Sequence, residues 1–122
     1  MKFWHACFVV TFFLTAAAAF AAPQVTIVAN PGSFASIEEA ATAERDIDWW
    51  DANTADDAAC TESFAAVELK TYLPRCTEIA PDQIAFAKPD GLPAEGYVFV
   101  IGTRASNPAI AQLDSESNHA AP

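Results

Sequence analysis

Two stretches decide the fold: Cys60–Leu73, CTESFAAVELKTYL, and Tyr97–Thr103, YVFVIGT. In the first, Ala65, Ala66, Leu69, Tyr72 and Leu73 share one stripe at about 100° per residue, with Ser63, Lys70 and Thr71 outside it. That spacing predicts an amphipathic helix over 61–73 whose stripe packs on a sheet. Thr61 suits the N-cap, Glu62 brings an acid to the first turn where the helix dipole favours it, and Pro74 removes the donor needed to continue. Phe64 and Val67 project from the other side, with the Trp49-Trp50 segment the nearest cover. In the second stretch, Tyr97–Ile101 is apolar throughout, which predicts a strand at the centre of the sheet.

Outward from these, Gln24–Ala29 (QVTIVA) is a β-branched run closed by Asn30-Pro31-Gly32, a first strand buried on both faces. Ser36 and Glu39 have capping-box spacing for a helix through about Arg45, but its face is mostly alanine and promises little burial. Residues 46–60 read as an acidic loop around the tryptophan pair. Gln83–Ala87 (QIAFA) alternates like a strand near an edge, and Asn107-Pro108 marks a helix start. The fold class is therefore α/β, of the α+β sandwich kind. A small sheet of about three strands carries one main helix, in the order β-α-β-β-α. So little sheet leaves an apolar edge or face open, to be covered by a continuation of the chain or by a partner.

Residues 1–21, MKFWHACFVVTFFLTAAAAFA, have the layout of a cleaved secretory signal: an early lysine, an apolar run and a small-residue exit at Ala19-Phe20-Ala21. A secreted or periplasmic location follows, with a domain over 22–113, a polar disordered tail over 114–122, and no membrane attachment after cleavage. Beyond the signal, Arg45, Lys70, Arg75, Lys88 and Arg104 face all sixteen acids, a net charge of about −11. Such a charge repels phosphate backbones and disfavours nucleic-acid partners. Cys60 and Cys76, at opposite ends of the helix, lie about 24 Å apart at 1.5 Å per residue, whereas a disulfide needs Cα atoms within about 7 Å. Two separate thiols are expected.

The residues offer little chemistry. Asp51, Asn53 and Glu62 stand at the first, third and twelfth positions of an EF-hand-type loop, but Asp56 occupies the glycine position and Ala55 an oxygen-donor position, so no metal is expected. No cofactor motif is present: the IGTRASN turn after the last strand has a single glycine and no GxGxxG pattern. Beyond the signal the one histidine is His119, in the polar end, and a nucleophilic triad needs a base held by packing. Trp49 and Trp50 are the candidate carbohydrate-binding residues, since aromatic faces stack on sugar rings. Being adjacent, they point to opposite sides of an extended segment, and a packing role for one of them is the alternative.

The order of a short strand, FAAVELKTYLPRCTE, a proline-rich loop and YVFVIGT resembles the N-terminal α/β domain that precedes the catalytic barrel of α-glucuronidases and β-N-acetylhexosaminidase-like glycoside hydrolases. Ala65, Ala66, Glu68, Leu69, Tyr72, Leu73 and Thr77 match the helix pattern of that domain, and Ile101, Gly102 and Thr103 its strand ending. Glu78 stands where the pattern has glycine. The resemblance implies a non-catalytic accessory domain of a secreted polysaccharide-degrading enzyme, with the catalytic carboxylates in a barrel outside this chain and no catalytic residue at any matched position. Its implied partners are polysaccharide or that downstream catalytic domain. Two other readings stand beside it: a free-standing secreted carbohydrate-binding module using Trp49 and Trp50, and a small structural or inhibitory protein pairing its open sheet edge with a partner.

Overall fold

The structure is a computed structural model and describes residues 24–90 and 92–117; the signal segment 1–21 and His119 lie outside them. Strand β1 (Val25–Val28) leads to helix α1 (Ile37–Thr42), a 3-10 turn over Ala43–Arg45 and the long helix α2 (Thr54–Cys76). Strand β2 (Ile84–Ala87), strand β3 (Tyr97–Val100) and helix α3 (Pro108–Ser117) follow. The three strands form one sheet in the order β2-β1-β3, and both pairings are parallel. The chain is thus mixed α/β, with two helices rather than one between the first two strands.

The sheet corrects the expected strand positions. β1 is central and β3 is an edge. All four residues of β1 are buried, because neighbours flank it on both sides and side chains cover both of its faces. Parallel register sets Val25 beside Ile84 and Tyr97, and Ile27 beside Phe86 and Phe99, so these side chains share one face. On that face Val25, Ile27, Ala29 and Ile84 form the core with Ile37 of α1 and Ala66 of α2, and Val67, Leu69, Leu73, Ile79, Phe86 and Ile101 pack around it. Each fully buried Val or Ile contributes about 1.5–3 kcal/mol. Tyr97 and Phe99 share the face but remain 68% and 41% exposed, so the helical layer ends before it covers β3.

Helix α2 differs from expectation at both ends. It begins at Thr54, in residues read as loop, with Asp56 and Asp57 in its first turn where acids favour the dipole. Glu62 therefore lies two turns inside rather than at the start. At the other end Pro74 falls in the last turn, where its missing donor costs a single bond, and the helix runs on to Cys76. Thr77 Oγ1 donates to the Leu73 carbonyl at 2.8 Å and helps to close that end.

The stripe also needs correction. Ser63, expected outside it, is fully buried together with Ala59, Cys60 and Ala66, while Tyr72 stays 49% exposed. The reason is α1. Its alanines Ala40 and Ala41, with Ala43 of the 3-10 turn, are buried, and α1 is the element α2 touches most extensively. Small side chains on both helices bring the two backbones close, so an alanine face that promised little burial makes the main helix contact. α1 is capped as its sequence indicates: Ser36 Oγ accepts the Glu39 N–H at 3.1 Å, while the Glu39 carboxylate reaches back to the Ala35 N–H. α3 starts at Pro108 as predicted and continues to Ser117, into the stretch read as a tail.

Both described thiols are free, Cys60 buried and Cys76 exposed, as the helix geometry requires. Burial pushes the Cys60 thiol up, and Asp56, Asp57 and Glu44 add to it. Raising a thiol's pKa reduces its thiolate, the reactive form. Iodoacetamide at neutral pH, read by peptide mass spectrometry, is therefore expected to label Cys76 at least about 100-fold faster than Cys60, with the difference vanishing in denaturant.

Candidate functional site

Among the described residues a partly polar concavity lies beyond the carboxyl ends of β1 and β3. The chain leaves β1 through α1 and α2 to reach β2 on one side, while β3 lies on the other. This break in strand order is where open α/β sheets place their ligands. Two loops wall the crevice: Asn30-Pro31-Gly32 after β1 and Gly102–Ser106 after β3. The first turns of α2 supply Thr54, Ala55, Ala58, Ala59 and Glu62. The crevice is open to solvent on one side and has a volume of about 360 Å³.

Hydrogen bonds between the walls hold its shape. Asn30 Nδ2 donates to the Ser106 carbonyl at 2.6 Å, and its Oδ1 accepts the Gly32 N–H at 3.1 Å. Ser106 Oγ donates to Glu62 Oε1, accepts the Thr103 N–H at 2.9 Å and lies 3.0 Å from Thr103 Oγ1. The second Glu62 oxygen is buried without a hydrogen-bond partner, beside the bare Cα of Gly102. Asn107, fully buried, ties the sheet to this end. Its Nδ2 donates to the Ile101 carbonyl at 2.8 Å, with Val28 O at 3.5 Å, and its Oδ1 caps α3 by accepting the Ala109 N–H at 3.1 Å.

Among the described residues the crevice brings together no nucleophile, base and orienting group of the triad kind. Ser106 is the hydroxyl closest to a nucleophile–base pair, yet its partner is a carboxylate, and no histidine lies among the described residues to take its proton. No group of three His, Cys, Asp or Glu among the described residues converges as metal ligands. No described helix is long and apolar enough to cross a membrane.

Trp49 and Trp50 stand away from the crevice. Trp49 lines a small hollow with Glu44, Cys60, Thr61 and Phe64, and its Nε1 donates to the Glu44 carbonyl at 3.1 Å. Trp50 is 94% exposed. Val67 packs into the main core instead of awaiting cover from this loop. The crevice residues Asn30, Glu62, Thr103 and Ser106 escaped sequence reasoning because they carry no motif. Their one signal is positional, since two of the segments follow the ends of adjacent parallel strands.

Near the start of α2, Asp57 is held above its ordinary value of 3.8, by burial first and then by Asp56, Asp51 and Asp48. Its Oδ1 is buried without a partner. A carboxyl raised on folding adds stability that is complete below its unfolded pKa and is lost as pH rises through the folded one. Asp57→Asn is therefore expected to lose less stability than the parent between that unfolded value and pH 7, whatever the offset from its place in the first turn of α2; thermal melts across this range check it.

No family model, no curated protein and no solved structure matches this chain.

Proposed function

We propose that this chain is a non-catalytic accessory domain of a secreted glycoside hydrolase that degrades polysaccharide, and that it docks on its neighbouring domain through the β3 edge. The observation that carries the reading is that edge. Tyr97 and Phe99 lie exposed on the helix-covered face of a strand whose outer side has no partner among the described residues. The inward bonds Tyr97 N–H to Gln24 O and Ile101 N–H to Val28 O, both 2.9 Å, leave the alternate amides of Val98 and Val100 pointing outward. A short apolar edge of this kind is a docking rail for another strand or domain. The choice of a glycoside hydrolase rests on the resemblance of the α2 and β3 segments, and the poverty of catalytic groups fits an accessory role.

The test is immunoaffinity purification of the secreted protein with an antibody raised against this domain. The reading expects hydrolysis of aryl glycosides in the eluate, carried by a polypeptide longer than the domain, and none from the isolated domain. Recovery of the domain alone, free of any hydrolase, would overturn it. The exposure of Trp50 favours one second reading, a free-standing carbohydrate-binding module. That reading expects tryptophan fluorescence to change with added polysaccharide and the change to be lost in Trp50→Ala.

A further inference from the structure

We propose that the crevice at the carboxyl ends of β1 and β3 binds a small, neutral, polyhydroxylated ligand of the size of one sugar ring. Three observations converge. The crevice lies at the break in strand order, where backbone and loop groups from two strands and one helix meet. Its volume of about 360 Å³ falls at the small end of the roughly 300–1,000 Å³ range of small-molecule pockets, enough for one sugar ring. Its lining pairs an alanine floor, Ala58 and Ala59, with the polar groups of Asn30, Thr54, Glu62 and Thr103.

The chemistry of the lining selects among ligands. Glu62 supplies a carboxylate, backed by Asp56 and Asp57 in the same first turns of α2, and no Lys or Arg is among the lining residues, so a phosphate or a sugar acid meets like charge there. A hydroxyl suits both parts of the site: it donates to Glu62 Oε1, which has a lone pair to spare beside its bond from Ser106, and accepts from the threonine hydroxyls. The Asn30–Ser106 and Ser106–Glu62 bonds exist without ligand, so binding need not order these groups first. No aromatic ring lines the crevice, so affinity is modest, with a Kd of about 1–10 mM. The choice of a sugar among neutral polyols rests on the function proposed above; the exclusion of anions does not.

The test is an NMR titration of the purified chain, amide by amide, with methyl β-D-xylopyranoside, D-glucuronate and inorganic phosphate. The expected result is saturable shifts at Asn30, Thr54, Thr103 and Ser106 with the xyloside, and at least about tenfold weaker binding of both anions. Ala58→Leu, which fills the floor from a half-buried helix position, abolishes the xyloside shifts while leaving the spectrum folded. Glu62→Gln narrows the margin against glucuronate. The proposal is overturned if the xyloside leaves the crevice amides unmoved, if shifts centre on Trp49 and Trp50, if either anion binds as tightly, or if a folded Ala58→Leu binds as before. None of these outcomes touches the β3 edge, so failure here is separable from failure of the accessory-domain reading.

Discussion

Asn107→Ala is expected to cost about 3 kcal/mol of folding stability and to lower the melting temperature by about 12–24 °C. Asn107 is fully buried and every polar atom of its side chain is engaged. Removing it deletes the N-cap of α3, worth about 0.5–2 kcal/mol, and takes the donor from the Ile101 carbonyl at the end of β3, which costs about 1–3 kcal/mol when the acceptor is left buried. Asn107→Ser separates the two losses. Its hydroxyl caps α3 but is too short to serve the strand, so it is expected to recover about 1 kcal/mol. Thermal and urea unfolding of the three proteins give the comparison. A change within about 0.5 kcal/mol for Asn107→Ala, the range of an ordinary surface substitution, would show that this residue does not join α3 to the sheet.

Gly102→Ala carries the second large effect. Gly102 has a φ of +137°, a conformation that residues with side chains rarely adopt, and a Cβ there would stand 2.7 Å from Glu62 Oε2 and 2.9 Å from the Asn107 Cβ. Backbone strain and overpacking together are expected to cost about 2–5 kcal/mol. Combining it with Glu62→Ala removes one collision and leaves the strain. The double-mutant cycle should therefore return a favourable coupling of about 1–2 kcal/mol and no full rescue. Additive losses would mean that Glu62 and Gly102 do not touch, and would undo the described geometry of the crevice wall.

Much of the fold is legible in the sequence, for identifiable reasons. The β-branched and aromatic runs at 25–28, 84–87 and 97–100 are strands, Ser36 and Asn107-Pro108 open helices, and the length of α2 keeps Cys60 from Cys76. Thr54–Cys60 hid its helix because its alanines carry no amphipathic period and its acids look like loop until the dipole is considered. The order of strands was hidden more deeply. A wholly apolar strand is equally suited to the centre of its own sheet and to an edge awaiting a partner, so Tyr97–Val100 gave the wrong position, and two of its four side chains are exposed. The crevice was hidden for a third reason: Asn30, Glu62 and Ser106 lie far apart along the chain, and parallel pairing of β1 with β3 brings them together.

The proposed docking rests on the β3 edge, and amide hydrogen exchange at Val98 and Val100 tests it most directly. In the isolated chain these outward amides should exchange rapidly while those of the buried strand β1 are protected to the limit of global unfolding. In the longer protein proposed above, both should become slower by at least about 100-fold as the edge acquires its partner. Val98 and Val100 amides as open in the longer protein as in the isolated chain would contradict docking at this edge.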